Sequence, residues 1–111
     1  MSDTKDRVFI CSPFRGRIEA NTRYAKAAVL DSFARGESPI ALHLLYPQVM
    51  DDSDIVQRER ALSAGFDWVK ASSKVVVYSD RGVSEGMRLE MDVAQLFDIP
   101  VEYRTLPDYE V

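Results

Sequence analysis

The chain reads as a single α/β domain, a flavodoxin- or Rossmann-like three-layer sandwich with a parallel sheet of four strands, a fifth being allowed, in the order 2-1-3-4. Three observations predict it. Apolar runs of strand length alternate with helix-length segments of helical periodicity from one end to the other. The strand segments are continuously apolar rather than alternating, which marks strands covered on both faces. The 111 residues give room for one domain that buries a core without disulfides or a structural metal. Right-handed crossovers then leave few topologies, and the order with strand one between two and three is the simplest.

Taken in order, Arg7 to Ser12 (Arg-Val-Phe-Ile-Cys-Ser) forms the first strand, ended by Pro13. The first helix spans Ile18 to Arg35, with Ala20, Tyr24, Ala27, Ala28, Leu30 and Ala34 crowding one side and Gly36 as the stop. Ser38 to Pro47 reads as a second strand running into a loop, with Pro39 at its start where a missing N–H is tolerated. Asp51, Asp52, Ser53 and Asp54 offer caps and early negative charge to a second helix in which Ile55, Leu62, Phe66 and Val69 share a face. Lys74 to Tyr78 is the third strand, Ser84 to Asp98 the third helix and Pro100 to Arg104 the fourth strand. Residues 1–6 and 105–111 lack periodicity and read as tails of one domain covering 1–111.

Composition narrows the function classes. A formal charge of −4 argues against nucleic acid or anionic membrane as partner, since both need a positive footprint, although Arg15, Arg17 and Arg23 could cluster locally. No run of eighteen apolar residues exists and the N-terminus lacks a signal-peptide core, so the expected compartment is the cytoplasm. The lone Cys11 sits in an apolar strand and reads as core. P-loop, Gly-x-Gly-x-x-Gly, Cys-x-x-Cys and Gly-x-Ser-x-Gly patterns are missing, which removes their chemistries. No cofactor is expected. Nor is a metal, because the aspartates at 51, 52 and 54 are explained by capping.

The most informative residue is Glu90. It lies three residues after Met87 and four before Ala94, on the stripe those residues share with Met91 and Phe97. A carboxylate there must be paired, protonated or placed at the lip of a cleft. In open parallel sheets the ligand crevice lies beyond the carboxyl ends of the strands, where Ser12, Phe14, Arg15 and Gly16 follow strand one, His43 stands near the end of strand two, and Asp80, Gly82, Ser84 and Gly86 follow strand three. Simpler roles compete: Ser84 is a good N-cap, Gly82 and Gly86 serve a turn, Arg15 is a loop charge, and Asp67 is a surface acid at the edge of a buried face. Glu90, a second acid such as Asp67 and an anion-holding Ser/Arg loop together suit glycosidic bond cleavage.

Phe9-Ile-Cys-Ser-Pro-Phe-Arg-Gly16, His43, Phe66-Asp-Trp68, the strand Val75 to Tyr78 and Ser84-x(5)-Glu90 together resemble the nucleoside 2-deoxyribosyltransferase superfamily. The nearest branch is that of the 2-deoxynucleoside 5-phosphate N-hydrolases, with related small phage and bacterial proteins. The resemblance implies a glycosyl-enzyme intermediate on Glu90, proton transfer to the base by Asp67, and sugar and 5-phosphate contacts from Ser12, Arg15, Gly16 and Ser84, with His43 beside the pocket and Asp80 near the sugar. It implies a small nucleoside or nucleotide as partner and a homodimer or higher homo-oligomer as assembly. The Ser-Pro-Phe sequence replaces smaller residues found in the phosphate hydrolases, so the 5-phosphate preference stays open. The competing expectation is a nucleotide-binding or sequestering protein that retains the pocket without catalysis; a scaffold for protein interaction is the third. Cytokinin-activating phosphoribohydrolases are disfavoured because their Pro-Gly-Gly-x-Gly-Thr signature is absent.

Overall fold

The computed structural model describes residues 5–107. Four strands, β1 (Arg7–Cys11), β2 (Ser38–Ile40), β3 (Lys74–Tyr78) and β4 (Val101–Arg104), make one parallel sheet ordered β2-β1-β3-β4, and three helices connect them: α1 (Ile18–Ala34), α2 (Ile55–Ala71) and α3 (Glu85–Leu96). No fifth strand occurs among the described residues. The first crossover runs one way along the sheet and the next two run the other, so right-handedness places α1 on one face and α2 with α3 on the opposite face.

The core divides accordingly. Val8, Ile10, Val76 and Tyr78 point to the α1 face and pack with Tyr24 and Ala28. Phe9, Cys11, Val75 and Val77 point the other way, against Val69, Met87 and Ala94. This is the period of two expected of strands buried on both faces. Beside α1 the sheet closes on charge: Arg104 holds Glu37 through two parallel bonds of 2.8 and 2.7 Å. Lys74 bridges Glu37 at 3.0 Å and Glu102 at 3.1 Å, and Ser32 donates to Glu37 at 2.8 Å.

Three expectations are corrected. The second strand is only three residues long; beyond Ile40 the chain coils into 3-10 turns at Leu42–Leu44 and Tyr46–Gln48. A short apolar run fits strand and turn alike, and here Leu42 enters the core from a turn while Pro47 belongs to the second one. In α1 the inward stripe is Tyr24, Ala28 and Ser32, four residues apart, with Ala25 beside it, and Leu30 falls on the outer side, 68% exposed. In α2 Val69 is buried but Ile55, the first residue of the helix, is 70% exposed, and Phe97 caps α3 half in solvent. Of the expected tails, 105–107 carry no regular element, whereas 1–4 and 108–111 lie outside the described residues.

Two helix starts are fixed by side chains. Asp54 accepts from the N–H groups of Val56 and Gln57 at 2.9 and 3.2 Å. Ser84 accepts from Met87 N–H, and its own N–H donates to the Met87 thioether, a reciprocal cap in which sulfur takes the usual carboxylate's place. Asp54→Ala is expected to cost about 1 kcal/mol in urea unfolding with an unchanged m-value.

Candidate active site

β1 and β3 are neighbours, yet their following connections diverge, one into α1 and the other into α3. A crevice opens between them at the carboxyl ends of the strands. The β1–α1 loop is shaped by Pro13 and by Gly16 at φ 89°, and Asn21 ties it down by donating to the carbonyls of Phe14 and Arg15 at 3.1 Å. This leaves Ser12 buried, its Oγ 2.6 Å from Nε2 of His43 on the turn after β2. Burial pushes the imidazole down to about 4, so it is neutral at pH 7 and one ring nitrogen is free to accept.

Glu90 sits in the second turn of α3 on the face turned to the sheet. The Cys11 thiol, at the end of β1, donates to Glu90 Oε1 at 3.4 Å and lies 3.7 Å from the Met87 carbonyl. Among the described residues no cation forms an ion pair with Glu90, which excludes the structural pairing that an inward carboxylate first suggests. Burial raises its pKa to about 7, while the thiol bond pulls the other way. The thiol is itself pushed far up by burial and by the charge of Glu90, and stays protonated.

Ser12, His43 and Glu90 line a cleft of about 370 Å³, with Cys11 buried behind them. Phe14 and Tyr46 supply aromatic walls, and Leu42, Leu62, Met87 and Leu89 supply apolar ones. At the rim Arg15 grips Asp52 through Nε at 2.9 Å and Nη2 at 2.5 Å, clamping the β1–α1 loop to the approach of α2. Arg58 also reaches the cleft, and its guanidinium has no hydrogen-bond or ion-pair partner among the described residues.

Of the residues singled out in the sequence, Ser12, Phe14, Arg15, His43, Ser84, Gly86 and Glu90 meet at this cleft. Four do not. Asp67 leaves 74% of its side chain in solvent and pairs with Lys70, because it lies two residues beyond the cleft-lining Gly65 and is rotated to the far side of α2. Asp80 turns to the α1 side, accepting from the Tyr24 hydroxyl at 2.7 Å and from the Leu106 N–H at 2.6 Å. Gly16 and Gly82 serve their turns at positive φ and do not line the cleft. Sequence reasoning missed Tyr46, Asp52, Arg58 and Gly65. A glycine inside a helical pattern was the available signal for Gly65, and Arg58 lies two turns before it on the same face. No group of three or more His, Cys, Asp or Glu residues is placed to hold a metal among the described residues. No described helix is long and apolar enough to cross a membrane.

Fold and cleft together define a parallel α/β domain with an unpaired carboxyl at its switch point. The chain belongs to the family described as Domain of unknown function (DUF7768), which it matches over residues 6–104. No curated protein sequence is a significant match. Among solved structures, it is similar to a 2-deoxyribosyltransferase from the psychrotolerant bacterium Bacillus psychrosaccharolyticus, with a TM-score of 0.66 and 14% identity over 95% of this chain and 75% of that one. It is also similar to BcmB, a CMP N-glycosidase from Clostridium botulinum, with a TM-score of 0.52 and 14% identity over 90% of this chain and 88% of that one. These likenesses show a shared fold.

Proposed function

We propose that the cleft cleaves the N-glycosidic bond of a nucleoside or nucleoside 5-monophosphate, by hydrolysis or base exchange through a glycosyl ester on Glu90. The observation that carries this reading is the Glu90 carboxyl itself, sunk at a switch-point cleft with a single weak donor and no counter-ion. A carboxylate poorly solvated in this way is a reactive partner for an anomeric carbon that develops positive charge. The carboxylate oxygen bonds to the anomeric carbon as the carbon–nitrogen bond breaks and its electron pair leaves with the base. Water or a second base then attacks the ester and restores the carboxylate.

The remaining groups fit the parts of such a substrate. Phe14 and Tyr46 offer faces for a planar base, and the Ser12–His43 pair offers a hydroxyl and a neutral imidazole to sugar hydroxyls. Arg58 is the cation available for a phosphate, whereas Arg15 is already engaged by Asp52. The names of the two similar structures, a deoxyribosyltransferase and a CMP N-glycosidase, support the substrate class. With Asp67 turned to solvent, the leaving base takes its proton from water in the open cleft.

That missing second acid favours one alternative, a nucleotide-binding protein without catalysis. Chromatography after incubation with deoxy- and ribonucleosides and their monophosphates separates the two. Release of free base from at least one of them is the expected result. Saturable binding with no release over long incubation supports the alternative, and neither binding nor release removes both readings.

A further inference from the structure

We infer that Cys11 is a positioning residue for Glu90, its thiol holding Oε1 so that Oε2 alone faces the cleft. The inference rests on the proposed function only for what Oε2 then does; the orientation itself stands on geometry. Cys11 is fully buried at the end of β1, where its Sγ meets two acceptors of α3, Glu90 Oε1 at 3.4 Å and the Met87 carbonyl one turn earlier at 3.7 Å. The thiol thus sits against the inner face of α3 and has one proton to give. Oε1 receives no other donor among the described residues, and Oε2 receives none. No fully enclosed side-chain oxygen or nitrogen among those residues lacks a partner, so Oε2 must keep contact with the open space of the cleft.

Gly65 supplies the second half of the geometry. It is buried in the middle of α2 and faces the carboxyl, and a Cβ built on it would stand 4.0 Å from Oε2. Its backbone is helical, so no positive φ demands glycine there. Glycine is unfavourable at a helical interior position, and what it provides here is an unobstructed approach to Oε2. One oxygen is therefore held from β1 and the other is left clear by α2.

The charged and titratable groups sharing the cleft are His43 and Tyr46 on the turns after β2, Arg15 and Asp52 at the rim, Arg58 on α2 and Glu85 on α3 itself. None bonds to the Glu90 carboxyl; burial and the Cys11 bond govern its ionisation. Removing the thiol donor must therefore make the carboxyl harder to ionise.

The test is a carbon-13 NMR titration of the Glu90 side-chain carboxyl, assigned by its loss in Glu90→Gln, in the wild-type chain and in Cys11→Ala, Cys11→Val and Cys11→Ser. Valine keeps the side-chain volume if alanine fails to fold. The expected result is a midpoint raised by roughly half to one pH unit in the alanine and valine variants, with serine, which restores a donor, at or below the wild-type value. An unmoved or lowered midpoint in both apolar variants, or a serine variant raised like them, overturns the inference. The readout does not depend on turnover. A chain that releases no base but shows these shifts loses the glycosidase reading and keeps the positioning role; where base is released, the acid limb of its pH profile must move with the midpoint.

Discussion

Glu90→Gln is expected to lower base release on the order of 10³-fold or more while making the folded protein more stable above pH 7. The amide has nearly the shape of the carboxyl but cannot bond to an anomeric carbon. The stability gain follows from the sign of the ionisation. Burial raises the Glu90 pKa from 4.5 to about 7, so the folded chain resists the charge that the unfolded chain accepts. Stability present below pH 4.5 is lost as pH rises through 7, to a ceiling of about 3 kcal/mol for that rise. Because the residue is half-buried, water discounts that ceiling; a gain of about 1 kcal/mol would still raise Tm by about 4 °C. The variant and wild type should unfold alike at pH 4 and diverge at pH 8. Base release by the wild type should rise with pH through about 7 as the carboxyl ionises.

Glu37→Ala is expected to cost about 3 kcal/mol in urea unfolding. Glu37 is the acceptor shared by Arg104, Lys74 and Ser32, and its removal strips the nearly buried Arg104 of its forked partner. Glu102 remains beside Arg104, bonded to its Nε at 2.5 Å, so the guanidinium is not left wholly unpaired. The same network gives the fold an acid-labile element. Arg104 above all, with help from Ser32 and Lys74 and against burial, lowers the Glu37 pKa from 4.5 to about 2. For a depressed carboxyl the stability is present above 4.5 and disappears as pH falls through 2, again about 3 kcal/mol. Glu37→Gln should flatten this acid limb. Glu90 and Glu37 impose opposite slopes, and the buried neutral His43, held down at about 4, gains stability as pH rises from 4 to 6.5 and offsets Glu90 there. Unfolding measured across pH 2–8 should therefore show a plateau of maximal stability between about pH 4.5 and 6.5.

The sheet was legible because its signal is redundant: Val75 to Tyr78 is too short and too apolar for anything but a strand covered on both faces. The second strand carried no such redundancy. Ile40 to Leu45 is apolar apart from His43, and only pairing with β1, which stops at Ile40, decides where strand yields to turn. Helix faces were legible where apolar residues recur in register and a charge interrupts them, as along Met87, Met91 and Ala94, and misread where an alanine-rich stretch hid the inward line through Tyr24, Ala28 and Ser32.

At the cleft the same contrast holds. Glu90 stood out because a charge broke an apolar stripe. Asp67 drew attention through its neighbours Phe66 and Trp68, but helical rotation of about 100° per residue turns it away from the side that Gly65 presents. Cys11 read correctly as a core residue; that its thiol would meet a carboxyl on α3 depends on how two elements 79 residues apart pack, which periodicity does not encode.

The role of Glu90 is tested most directly by incubating the protein with 2-deoxy-2-fluoro nucleosides and their monophosphates and mapping the tryptic digest by mass spectrometry. The electronegative fluorine slows breakdown of a glycosyl ester. The account predicts one fluorosugar on the peptide spanning residues 89–104, placed on Glu90 by fragmentation and absent from Glu90→Gln. Base release with no adduct, or with the sugar on another residue, would contradict it.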